Sequence, residues 1–436
     1  MERLAKIECQ DRLLPIIMGL LMLMGVSQEA KAFLPASIIE LPENAVLVEK
    51  KSQTLIIYSS TQNQIVEERQ MACSTGEVNG IKEKEGDKKT PEGIYFLADE
   101  YENKDLSPIY GKKAFSTDYP NLIDQQTGKN GSNIWIHGTN KPLKPMDSNG
   151  CVVLENHNIL ELADYIHLYA TPVIIVQEIQ KGDPAKKNLQ KKTLHAIVGK
   201  WQKAIESGTY QEYLSFYSPQ YLPEIDWWKE WMKIRKASKA AGRKIEITNQ
   251  HAGIYYHNTI FVMMFDQMLS ANEKTIYFGK RKLFLSVEKD IHRIIGDTFQ
   301  YIPDALKSGK SSIVSAGHAL VHKIKEESVI ETVKRWLAAW SDKDMETYAS
   351  FYATNFHSDG MNKEKWVRRK KMLAAKYDYI NVAGSQFNVE QGRNFWEVTF
   401  FQAYKSSGHS AQGIKRLKLV DKGGIWKIYR EIWRRK

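Results

Sequence analysis

Cys151 and His137 are the two residues of this 436-residue chain whose side chains could combine into one reaction. A thiol becomes a useful nucleophile near neutral pH only when a base takes its proton. A histidine at the end of a strand can serve, because neighbouring backbone can fix its orientation. Gly150 directly precedes the cysteine and allows a sharp turn there with close backbone approach. The N–H groups of Gly150 and Cys151 could then cradle the oxyanion of a tetrahedral intermediate. Nucleophile, base and oxyanion donors thus lie within fifteen residues, 137–151. A lone cysteine is more often a small buried hydrophobe, so the surrounding text has to decide.

That text is strand-rich. Residues 45–48 and 54–58 alternate as a hairpin, and 86–93 read as a turn-rich loop followed by a strand at 94–97. Residues 134–137 form a strand that ends at the histidine, and 151–154 start a short one at the cysteine. Residues 159–168 have helical periodicity, 171–176 read as a closing strand, and 181–192 as a polar linker.

The segment His137-Gly138, a nine-residue insert and Ser148-Asn149-Gly150-Cys151 resembles the H-G…S-H-G-C signature of the L,D-transpeptidase (YkuD-type) catalytic domain. Ser74-Thr75-Gly76, the loop Gly86-Asp87 with Thr90-Pro91-Glu92-Gly93, and Tyr119-Pro120-Asn121 with Asp124 match further elements, over about residues 44–178. The resemblance implies Cys151 as nucleophile, His137 as its base and the Gly138 carbonyl as the group that orients the imidazole. It implies substrate contacts at Ser148, Asn149, Thr139 and Tyr119, and neither metal nor cofactor. Its substrate would be the tetrapeptide stem of peptidoglycan, with a thioester formed and D-Ala released. Water as acceptor gives a carboxypeptidase, an amine of another stem a cross-link, and an amine of a wall protein an attachment. Two departures stand out. Asn149 replaces the usual second histidine, which is not the base. Val153 stands where relatives carry an Arg or Asn that reads the donor peptide, and Lys141 or Lys144 is the candidate replacement charge. A wall-binding protein with a degenerate site is the competing class.

Beyond this domain the chain repeats itself. Residues 200–217 align on 335–352 at an offset of 135, matching Trp201 to Trp336, Tyr213 to Tyr348 and Tyr217 to Tyr352. The same offset carries Trp231 onto Trp366, Phe265 onto Phe400, and Lys280-Arg281 onto Lys415-Arg416. Each copy reads as helices followed by long strands, an α+β cone similar to the SnoaL-like, nuclear-transport-factor-like fold. The expected architecture is therefore multidomain, a mostly-β catalytic domain and two duplicated α+β cones. Its boundaries are a signal peptide at 1–32, the catalytic domain at 33–180, a linker at 181–192, one copy at 193–305, a linker at 306–325 and the second copy at 326–436. A catalytic domain of this type followed by a SnoaL-like domain resembles the cell-shape-determining L,D-carboxypeptidases of curved and helical bacteria.

An apolar run at 13–26, a basic start and Ala30-Lys31-Ala32 read as an export signal, with an uncleaved anchor as the alternative. The expected location is the periplasm or cell envelope, with no stable membrane span after cleavage. Cys9 lies in the leader, so Cys73 and Cys151 could pair, silencing the thiol, or stay free. A net charge of +11 suits an anionic wall polymer. No zinc-finger, phosphate-loop or RNA-binding spacing accompanies it, so nucleic acid is not an expected partner. The basic stretches 229–243 and 363–376 suggest that the cones dock peptidoglycan or an envelope protein.

Overall fold

A computed structural model describes residues 34–436 apart from Asn63 and Lys436. The expected signal peptide and Cys9 lie outside the described residues. No helix among the described residues is long and apolar enough to cross a membrane.

Strand β1 (Ile38–Glu40) comes first, followed by β2 (Asn44–Glu49), β3 (Thr54–Thr61), β4 (Gln64–Ala72), β5 (Gly93–Glu102) and β6 (Lys113–Thr117). Then come α1 (Leu122–Gln126), β7 (Trp135–His137), β8 (Val152–Val153), α2 (Asn156–Ala163) and β9 (Pro172–Val176). Strands β2–β9 form one sheet in the order β4-β3-β2-β9-β5-β6-β7-β8. Its central strands are apolar on both sides because both sides are covered. Val46, Leu55, Tyr95 and Val173 enter the core under α2, while their neighbours Leu47, Ile56, Phe96 and Ile174 face the first cone. The helix expected at 159–168 is shifted, since α2 ends at Ala163 and turns follow.

The first cone contains α3 (Pro184–Ser207), α4 (Tyr210–Leu214), α5 (Trp228–Ala240) and strands β10 (Glu246–His257), β11 (Ile260–Ala271), β12 (Lys274–Glu288) and β13 (Ile291–Tyr301). Strand β1, from ahead of the catalytic domain, adds itself to the edge of this sheet beside β10. The second cone contains α6 (Ser312–Ser341), α7 (Met345–Ser350), the short pair β14 (His357–Ser358) and β15 (Met361–Asn362), α8 (Lys363–Lys376), and β16 (Ile380–Gln391), β17 (Trp396–Ser406), β18 (Ser410–Asp421) and β19 (Trp426–Arg435). The duplication extends to single hydrogen bonds. Trp201 Nε1 donates to Tyr217 Oη, and Trp336 Nε1 to Tyr352 Oη, both at 3.0 Å.

Three expectations need correction. The linker placed at 181–192 is mostly helix, because Asp183 caps α3 by accepting from Ala185 N at 2.9 Å and Pro184 suits the first turn. The linker placed at 306–325 is mostly the first half of α6. Ile313, Ala316, Leu320 and Ile324 bury themselves in the first cone, whereas Val329, Val333 and Trp336 of the same helix belong to the second cone's core. The repeat also slips by one residue. Gln267 faces Gly279 but Met268 faces Tyr277, so Phe278 is an extra residue bulging out of β12. Beyond that bulge Arg281, opposite Phe265, corresponds to Lys415, opposite Phe400, and not to Arg416.

Candidate active site

Strands β7 and β8 run parallel, with Ile136 opposite Val152 and His137 opposite Val153. Ile136 and Val152 point into the core. Alternation then sends His137 and Val153 to the other face, together with Cys151 one residue before β8. Cys151 and His137 are diagonal neighbours on that face, about 5 Å apart across the strands and about 7 Å along them by standard sheet spacing. Both line a cleft of about 290 Å³ with Ser74, Tyr110, Lys144 and Val153.

His137 is held from several sides. Its Nδ1 lies 2.7 Å from the Gly138 carbonyl, as the sequence reading anticipated. That carbonyl can only accept, so Nδ1 carries the proton and Nε2 is left as the bare, basic nitrogen. The His137 carbonyl accepts from Leu154 N at 2.9 Å, and Gly138 N donates to Lys113 O at 3.0 Å. Tyr110 packs edge-on against the imidazole, with centroids 4.9 Å apart. Burial pulls the imidazole below its ordinary value, and the Gly138 carbonyl partly offsets this.

Cys151 keeps part of its surface open to the cleft. Its Sγ is 3.5 Å from the Asn133 carbonyl. Burial raises the thiol above its ordinary value, opposed by the Trp135 N–H and the charge of Lys82. A raised thiol beside a lowered imidazole describes a neutral resting pair rather than a thiolate–imidazolium pair.

The remaining motif residues form the clamp that holds the cysteine turn. Thr90 Oγ1 donates to the Gly150 carbonyl at 2.9 Å and accepts from Gly76 N at 2.8 Å. Ser74 Oγ accepts from Asp147 N at 2.9 Å, and Ser148 N donates to Thr75 O at 3.2 Å. Asp87 accepts from the N–H groups of Glu83, Lys84 and Lys89 and pairs with the buried Lys82 at 2.7 Å. These bonds hold the Asp87 carboxyl far below the usual range, although burial works the other way.

Ser148, Asn149 and Thr139 line the cleft as expected, and so do both Lys141 and Lys144. Tyr119 does not. Its ring is buried edge-on against Tyr95 and its hydroxyl donates to the Asn130 carbonyl at 3.0 Å, so it supports the core. The expected pair of oxyanion donors also changes. Gly150 N donates to Ser148 Oγ at 3.1 Å, and that hydroxyl donates to the Cys151 carbonyl at 2.7 Å. The Gly150 N–H is therefore already engaged. Cys73 and Cys151 are separate thiols, and burial pushes Cys73 up to about 12. Tyr110 and Lys82 were missed, since nothing local in Pro108-Ile109-Tyr110-Gly111 or around Lys82 announces a partner more than twenty residues away.

The sequence matches the L,D-transpeptidase catalytic domain family (YkuD) over residues 43–175. It matches the Cds6 C-terminal NTF2-like domain over residues 328–432. The chain thus contains an L,D-transpeptidase-family catalytic domain and a C-terminal NTF2-like domain. Among solved structures it is similar to Bd1075 of Bdellovibrio bacteriovorus, at 23% identity over 92% of this chain and 98% of that one, with a TM-score of 0.34. It is similar to the helical cell shape determining protein Pgp2 of Campylobacter jejuni, at 25% identity over 61% of this chain and 95% of that one, with a TM-score of 0.48. An NTF2-like protein of Pseudomonas putida aligns at 14% identity over 26% of this chain and 86% of that one, with a TM-score of 0.24. No curated protein matches the sequence.

Proposed function

We propose that this chain is an exported cell-wall enzyme that forms a thioester between Cys151 and the tetrapeptide stem of peptidoglycan. The supporting observation is the parallel register of β7 and β8, which sets His137 and Cys151 on one face of one cleft. His137 Nε2 takes the thiol proton as the sulfur attacks the carbonyl of the third stem residue. The Cys151 N–H is the donor we assign to the oxyanion. Collapse of the intermediate releases D-Ala, which receives the proton from the imidazolium. Val153 leaves the donor end of the cleft without a fixed charge, and Lys141 and Lys144 supply one for the stem's carboxylates.

The second reading concerns the acceptor. The cleft's 290 Å³ lies at the lower bound of pockets that hold small ligands. That room favours water over a second stem, hence an L,D-carboxypeptidase that trims tetrapeptides to tripeptides. Purified sacculi treated with wild-type protein or with Cys151→Ala, then resolved into muropeptides, test both readings. Tripeptides from the wild type alone indicate hydrolysis, and 3→3 dimers indicate transfer. An identical profile for the two proteins makes the chain a wall-binding protein and overturns the proposal.

A further inference from the structure

We infer that the first cone carries a separate docking groove for the carboxylate-bearing peptidoglycan polymer, formed by α5 and the turn after it. The inference rests on the wall substrate proposed above but uses none of the catalytic residues.

The groove encloses about 1120 Å³ between the end of α3, one face of α5 and residues 242–245. Met232, Lys236 and Lys239 recur on α5 at intervals of four and three and so share one helix face. Three of the lining cations are already neutralised. Lys203 pairs with Glu206, Lys233 with Glu230 and Lys244 with Glu246. Four others, Arg235, Lys236, Lys239 and Arg243, have no carboxylate partner among the described residues. Arg235 donates to the Gly208 carbonyl at 2.9 Å, so its guanidinium is half-buried with only neutral company. A concave surface with four uncompensated positive charges selects a polyanion.

The second cone provides an internal comparison. At the offset of 135, Lys203, Lys239 and Arg243 become Ala338, Ala374 and Asp378, so the charge pattern is lost. The counterpart of Arg235 is Lys370, which turns inward and lies over the rings of Trp340 and Trp366 at 4.6 and 5.2 Å. The cone fold therefore does not itself require these cations.

The shape narrows the polyanion. A flat anionic membrane meets a protruding face better than a groove. A single-stranded nucleic acid calls for aromatic stacking platforms, and no aromatic side chain lines this groove. An extended glycan with carboxylate-bearing stems fits a long cleft that has an apolar floor at Met232 and Ile245.

The test uses the full chain, with Cys151→Ala introduced so that the probe stays intact. Co-sedimentation with purified sacculi is compared for this protein and for the same protein carrying Lys236→Glu, Lys239→Glu and Arg243→Glu. We expect the reversal to lower the bound fraction at least about tenfold, with binding that weakens as salt rises. Sacculi whose carboxylates have been amidated should lose the wild-type binding to the same extent. The triple variant with Cys151 restored should turn over soluble muropeptides like the wild type. Undiminished binding by the triple variant, undiminished binding to amidated sacculi, or equal capture by anionic vesicles would overturn the groove. If soluble muropeptides are not turned over even by wild-type protein, the catalytic reading fails while the sedimentation result still stands.

Discussion

Gly111→Ala should cripple the active site without touching a catalytic side chain. Gly111 sits at φ +67° and ψ −141°, a conformation open essentially to glycine alone, which costs another residue about 1–3 kcal/mol. An added Cβ would lie 2.2 Å from Asn156 Oδ1, 2.5 Å from the Gly138 carbonyl carbon and 2.6 Å from Thr139 N. Relief to ordinary contact distance requires the Gly138–Thr139 backbone to retreat by about 1 Å, and such a displacement of catalytic groups can cost about a hundredfold in rate. The Gly138 carbonyl is the group that holds the His137 imidazole. The assay is D-Ala release from a soluble tetrapeptide muropeptide, beside a thermal melt. We expect kcat to fall about a hundredfold with KM little changed. Gly128→Ala is the control, because Gly128 has φ +77° but nothing within 4 Å of an added Cβ. It should lose about 1 kcal/mol of stability to backbone strain and no activity. Wild-type kcat in folded Gly111→Ala would refute the claim that the Gly138 carbonyl positions the base.

Iodoacetamide at pH 8, followed by peptide mapping, should label Cys151 but not Cys73 in the native protein, and both after denaturation. Equal native labelling would contradict the burial that pushes Cys73 up to about 12. The acid limb of kcat/KM should fall below the ordinary histidine value, because burial lowers His137 and only its neutral form accepts the thiol proton. A limb above the ordinary value would point instead to an imidazolium stabilised in the resting site. Leu320→Ala should destabilise the protein by about 2–5 kcal/mol in a urea melt, since Leu320 is fully buried in the first cone's core. A change within about 0.5 kcal/mol would mean that the segment behaves as a surface linker after all.

The catalytic pair was legible because its information is local. A histidine ending one strand and a Gly-Cys turn starting another need only the 6→7→8 strand succession to meet. The duplication was legible because Trp201, Tyr213 and Tyr217 return at one spacing as Trp336, Tyr348 and Tyr352. What escaped depends on distant partners. The hydroxyl of Tyr119 is claimed by the Asn130 carbonyl, and the N–H of Gly150 by Ser148, so neither is free for substrate. The bulge at Phe278 leaves no mark in composition, yet it shifts every later residue of the copy by one. The helical spacing of Ile313, Ala316, Leu320 and Ile324 was visible, but a boundary drawn where the repeat begins cut through it. Lysine-rich text at 181–192 looked like a linker because the partners of Leu194 and Val198 lie on other elements of the cone.

The helix shared by the two cones has thirty residues and is about 45 Å long at the usual rise. It fixes angle as well as distance. One residue inserted near its middle, between Ile324 and Val329, would swing the second cone by about 100° around the rod and push it about 1.5 Å outward, whereas seven would bring it almost back into phase. The mutual bearing of the cones is thereby encoded in an integer count of residues, and only length changes close to whole turns can leave it intact.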